Sequence, residues 1–262
     1  MGLRTLTRQF FLDRGTYISP SSTDQEMDRF IANLRPVSSD IPLIRVGGEG
    51  DGGYLVPDDF DQIVACFSPG VADSSDFELD LAKRQIPSFM ADYSVDGPSV
   101  KHDLFHFEKK FLGSVDSDQF MTLESWINQS LVSLGDMILQ MDIEGSEYDV
   151  ILSTSSAYFR RFRTIVIEFH SLDMIFNPHG YQLATLVFEK LLADFSVVHI
   201  HPNNCRRLSQ MRGYSVPPVV EFTFHRKDRI KNAKPVTALP HELDARCVPD
   251  RPELILPRQW YA

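Results

Sequence analysis

The sequence predicts an α/β fold in which a parallel sheet is covered by helices on both faces. Three observations carry this. Seven short β-rich runs are spread over residues 63–224, stretches with helix-start signals lie between them, and a hydrophobic fraction of 43% is enough to fill a core. Parallel neighbours need a crossover, and the intervening helices supply it.

Residues 1–40 read as an N-terminal lead-in, irregular or helical, with polar stretches at Ser19–Gln25 and Ser38–Asp40. The main domain runs over 41–230. Its strand runs are Ile63–Phe67, Ser88–Tyr93, Phe105–Leu112, Met137–Ile143, Thr164–Phe169, Phe195–His201 and Val219–Phe224. Ser75 followed by Glu78 makes a capping box, and Ser146 followed by Asp149 makes another. Asn177-Pro178 opens the longest helix, with Leu183, Leu186, Val187 and Leu191 placed on one face. Residues 231–262 hold five prolines among charged residues and are expected to wrap the surface of the same domain without regular structure.

Composition narrows the function. With 26 Lys and Arg against 36 Asp and Glu, the net charge is −10, which disfavours binding to the phosphate backbone of nucleic acid. No run has the length and apolarity of a secretory signal or a membrane span, so a cytoplasmic protein acting on a small molecule or glycan is expected. Cys66, Cys205 and Cys247 form no C-x-x-C pair and are expected to pack as small hydrophobes.

Gly48, Gly50 and Gly53 match the dinucleotide fingerprint, yet a helix must follow those glycines and Tyr54-Leu55-Val56-Pro57 reads as a strand. A glycine-rich hairpin is the plainer reading, and an active-site lid carrying Asp51 and Tyr54 the sharper one. A better ligand locus follows the first core strand. Gly70 allows close approach of a ligand to the backbone, and Asp92, 22 residues further on, is placed to accept ribose hydroxyls. The alternative is a simple turn with Asp92 capping a loop.

The remaining candidates stand at strand ends. Asp142 and Glu144 end the fourth run in MDIEGSEYDVI, Glu168 and His170 share one face at the end of the fifth, and His201 and Asn203 end the sixth. Open α/β sheets bind ligands at this edge, and buried carboxylates need partners or a polar cleft. Glu144 and Glu147 could also serve the following helix as caps.

Taken together, MDIEGSEYDVI at 141–151, IEFH at 167–170, HPNNC at 201–205 and RVGGEGDGGYLV at 45–56 resemble the FkbM-type methyltransferases, within the class I S-adenosylmethionine-dependent methyltransferases. The resemblance covers roughly residues 41–226. It implies a Rossmann-like, mostly parallel seven-stranded sheet with a reversed last hairpin, here with an N-terminal extension. It further implies S-adenosylmethionine bound with Gly70 and Asp73 at its methionine part, Asp92 at the ribose, and Val115 and Asp116 at the adenine. SPGVADSS carries a single glycine where that family has a glycine-rich turn. A hydroxyl of a sugar or natural product is the implied acceptor.

Chemistry then asks for a base. His170 or His201 can take the hydroxyl proton, because imidazole titrates near neutrality. The favoured arrangement has His170 oriented by Glu168, with Asp142 positioning the acceptor or the sulfonium. Two alternatives concern the site: no metal, or a divalent cation on Asp142, Glu168 and His170. Two concern the whole chain: another adenosine-ligand enzyme such as a nucleotide-dependent oxidoreductase, or a non-catalytic binding module.

Overall fold

All seven β-rich runs join one sheet: β1 (Ile63–Pro69), β2 (Ser88–Ala91), β3 (Phe105–Glu108), β4 (Asp136–Met141), β5 (Phe162–His170), β6 (Phe195–Pro202) and β7 (Val219–Arg226). The computed structural model describes residues 3–72, 74–130 and 134–262. Across the sheet the order is β3-β2-β1-β4-β5-β7-β6, and β7 alone runs opposite to its neighbours. This is a mostly parallel, Rossmann-like α/β arrangement with its last hairpin reversed, as expected. The chain leaves β1 toward β2 on one side and enters β4 on the other, which opens a crevice at the carboxyl ends of these two strands.

Strand alternation divides the sheet into two unlike faces. Phe67, Leu139, Ile167, Phe169, Phe222 and Phe224 point into the larger core. The helices are α1 (Leu3–Leu12), α2 (Asp24–Asn33), α3 (Asp76–Lys83), α4 (Leu123–Gln129), α5 (Glu147–Ser153), α6 (Ser156–Phe159) and α7 (Pro178–Asp194), and α2, α4, α5, α6 and α7 bury apolar side chains in that core. Gln140, Glu168, His201, Glu221, Thr223 and His225 alternate to the opposite face and are nonetheless buried. That face is covered by a β-hairpin, Leu43–Val46 with Tyr54–Pro57, whose Leu55 carbonyl accepts the Thr223 hydroxyl at 2.6 Å. No helix among the described residues is long and apolar enough to cross a membrane.

Several local readings are corrected. Asn177 caps α7 through the His179 N–H at 2.9 Å with proline in the first turn, but Leu186 is 58% exposed and the buried face carries Tyr181, Ala184, Val187, Phe188 and Leu191. Ser75 and Ser146 precede α3 and α5 without a side-chain capping bond. Ser75 accepts instead from Ser99, and Glu78 turns inward to accept from Ser68, so packing overrides the local pattern. The tail is mostly irregular and at the surface, as expected, but it is anchored. Cys247, Leu256 and Trp260 are buried, and Lys234–Pro235 pairs with Val37–Ser38.

Candidate functional site

Backbone approach sets the site. Gly70 follows β1 at φ +85°, and a Cβ there would stand 1.6 Å from the Asp142 carbonyl oxygen beyond β4, so only glycine lets the two strand ends meet. Ala72, Glu144 and Ser171, just after β1, β4 and β5, also have positive φ. Such conformations cost free energy and gather where a fold commits to holding groups in place.

Two cavities flank this junction and share Gly70, Ala72 and Asp142. The larger, about 510 Å³, is lined by Asp92, Glu144, Phe111 and Phe120 among others. Asp92 is fixed there by the Ala72 N–H at 3.1 Å and by the Ser94 N–H and hydroxyl at 2.8 and 2.6 Å. The smaller, about 340 Å³, is bounded by Asp51, Tyr54, Glu78 and Gln140. The glycine-rich segment is thus a hairpin whose loop delivers Asp51 to the cleft, while Tyr54 is buried and accepts from Gln140 at 3.3 Å.

Asp142, Glu168 and His170 do come together. His170 Nε2 stands 3.3 Å from Glu168, 3.4 Å from Glu144 and 3.9 Å from Asp142. Its Nδ1 donates to Glu147 Oε1 at 3.2 Å, and its carbonyl accepts from Tyr148 at 3.1 Å. Glu147 is fully buried at the start of α5 and also accepts the N–H groups of Ile143 and Gly145. The residue orienting His170 is therefore Glu147, and Glu168 lies on the other side of the ring. Asn203 donates to Glu168 at 3.0 Å and to Asp51 at 3.4 Å, which ties the hairpin loop to the strand ends.

Crowding perturbs these groups. Burial, reinforced by Asp142 and Glu221, pushes Glu168 well above the usual carboxylate range. Burial raises Asp142 too, against the pull of His170 and with Glu144 and Glu147 adding to it. Burial opposes charge on His170, yet Glu147, Asp142 and Glu144 outweigh it and raise the imidazole. The oxygen and nitrogen atoms of Asp142, Glu168 and His170 lie within 4.8 Å of one another, close enough to share a cation.

Other expected site residues lie elsewhere. His201 is 3% exposed, with Nδ1 3.1 Å from Glu221 and Nε2 3.2 Å from Glu253, and lies on the buried polar face of the sheet. Burial opposes its charge, but Glu221 prevails and holds it at about 9. Asp116 braces the start of α4, accepting from the N–H of its N-cap Thr122 at 2.8 Å and from the Ser125 hydroxyl at 2.6 Å, and Val115 is 65% exposed. In their place Phe111 and Phe120, 5.6 Å apart between ring centres, wall the larger cavity. Asp73 lies outside the described residues. Cys247 is no plain hydrophobe, since its thiol donates to Glu221 at 3.3 Å.

No protein-family model matches the chain, and no curated protein matches it. Among solved structures, a chain of the crystal structure of a fibrillarin/Nop5p complex is similar at TM-score 0.39 and 12% identity, over 73% of this chain and 98% of that one.

Proposed function

We propose that this chain is an S-adenosylmethionine-dependent O-methyltransferase of the FkbM type, acting on a hydroxyl of a sugar or natural-product acceptor. The observation that carries the reading is the position of Asp142, which faces both cavities at the β1–β4 crevice with His170 behind it. Asp92 suits ribose hydroxyls, and the paired phenylalanines suit a purine. Asp51, Asp76, Glu78, Asp92, Asp142 and Glu144 line the two cavities, a lining that favours a sulfonium over the pyrophosphate of a nicotinamide dinucleotide.

The bound donor supplies an electrophilic methyl group on a cationic sulfur. The residues of the chain align the acceptor oxygen with it and remove a proton. As the carbon–oxygen bond forms and the carbon–sulfur bond breaks, the hydroxyl proton passes to His170 Nε2, leaving a methyl ether and S-adenosylhomocysteine. Glu147 holds Nδ1–H, so Nε2 is the nitrogen presented to the acceptor.

Calorimetric titration tests donor choice. S-adenosylmethionine is expected to bind with a micromolar constant and reduced nicotinamide dinucleotides far more weakly; the reverse order would overturn the assignment. Labelled methyl transfer to a panel of glycans and hydroxylated small molecules then tests the acceptor class. Activity lost on chelation and restored by magnesium would place a divalent cation on Asp142, Glu168 and His170, whereas activity that survives supports the histidine base alone.

A further inference from the structure

Beyond the cleft, one row of side chains crosses the buried polar face of the sheet. Glu168 on β5 lies directly opposite Glu221 on β7, and Glu221 lies directly opposite His201 on β6. Two carboxylates opposed across an antiparallel pair repel, the more so when buried, unless a cation stands between or beside them. The tail lays a sulfur on this row. Cys247 Sγ is 3.3 Å from Glu221 Oε1, and His201 Nδ1 is 3.1 Å from Glu221 Oε2.

We propose that His201, Glu221 and Cys247 form a binding site for a borderline-soft transition metal, zinc fitting best. One ligand atom from each lies within 4.8 Å of the others, and all three residues are buried. Tetrahedral zinc with nitrogen, oxygen and sulfur ligands at about 2.0–2.3 Å needs ligand separations of roughly 3.3–3.8 Å, a small adjustment from this spacing. Glu253 accepts from the far nitrogen of the same imidazole at 3.2 Å, the outer carboxylate that fixes the tautomer of a metal-bound histidine. Asp51 and Glu168 each offer an oxygen within 4.8 Å of one on Glu221, so a fourth ligand stands next in the row.

Mixed nitrogen, oxygen and sulfur donors separate this site from the oxygen-rich strand ends around Asp142. On binding, the Cys247 thiol proton and the Nδ1 proton of His201 leave to solvent while bonds form from sulfur, nitrogen and oxygen to the metal. The metal would then fasten the tail, through Cys247, to β6 and β7.

Elemental analysis of the untagged chain after zinc loading and dialysis provides the test. About one zinc per chain is expected, with Cys247→Ser lowering it at least tenfold. Because that variant could unfold, cobalt exchange into the unmodified chain is the second measurement, and a thiolate-to-cobalt charge-transfer absorption is expected. A chain that retains no metal, cobalt without the thiolate band, or zinc that persists in folded Cys247→Ser but leaves with Asp142→Asn would each overturn the proposal.

Discussion

Glu147 Oε1 and His170 Nδ1 lie 3.2 Å apart, joining the first residue of α5 to the last residue of β5 through a carboxylate that water does not reach. That contact turns Nε2 toward the strand-end rim. His170→Ala is expected to lower kcat by about 10²- to 10⁴-fold, the usual span for a lost general base, with S-adenosylmethionine affinity changed only a few-fold. Glu147→Gln keeps an acceptor for Nδ1–H but removes a negative charge. It should lower kcat less and move the pH profile, which a purely structural residue would not do.

The direction of that movement follows from the charges. His170 must be neutral to accept a proton, and Glu147, Asp142 and Glu144 raise its pKa despite burial. Turnover should therefore rise with pH through a value above the ordinary imidazole pKa of about 6.5 and fall as the ring protonates below it. Glu147→Gln should shift this limb to lower pH. A bound cationic donor acts in the same direction, so the limb in kcat should lie below that in kcat/KM. Initial rates across pH check both points.

Gly70→Ala tests the junction itself. An added Cβ would collide with the Asp142 carbonyl, and the positive φ alone costs roughly 1–2 kcal/mol for a residue with a side chain. Loss of donor binding and a lowered melting temperature are expected. Gly97→Ala is the control, since a Cβ at Gly97 meets nothing within 4 Å and should leave both properties intact.

How much of this was legible in the sequence depends on the range of the forces involved. All seven strands could be read, because β-branched and aromatic runs bury wherever they fall in a covered sheet. Meeting of Asp142, Glu168 and His170 followed from strand ends sharing one edge. Glu147 escaped notice because an acid in the first turn of a helix has a sufficient local explanation, and only the path of β5 shows that its carboxylate meets an imidazole. Ser75 and Glu78 fit a capping pattern, but burial against Ser68 decided the orientation of Glu78. Asp116 was similarly drawn to the start of α4 by the Thr122 N–H, and the larger cavity is walled by phenylalanines whose spacing carries no local signal.

His225 should set an acid limit on stability. Burial holds it at about 4, well below the ordinary value, with Asp59 opposing and Arg229 and Arg163 assisting. A depressed folded-state pKa contributes stability that is complete above about 6.5 and is lost as pH falls through about 4, at up to about 1.4 kcal/mol per pH unit. Thr164 Oγ1, 3.0 Å from Nδ1, keeps the neutral ring in place. Urea melts between pH 4 and 7 should show this slope, and His225→Gln should flatten it.

Trp260 decides whether the tail belongs to the core. Its ring is completely buried and its indole N–H donates to the Ser215 carbonyl at 2.9 Å. Removing such a side chain leaves a cavity and an unpaired acceptor, and Trp260→Ala should cost about 3–5 kcal/mol in urea unfolding. Trp260→Phe keeps most of the volume and loses the hydrogen bond, so it should cost less, about 1–2 kcal/mol. A cost below 1 kcal/mol for the alanine variant would mean that this end of the chain lies on a core already complete without it. The predicted loss would instead make the tail, with the Cys247 and Glu253 it carries to His201 and Glu221, part of the cooperative unit that holds the polar face of the sheet.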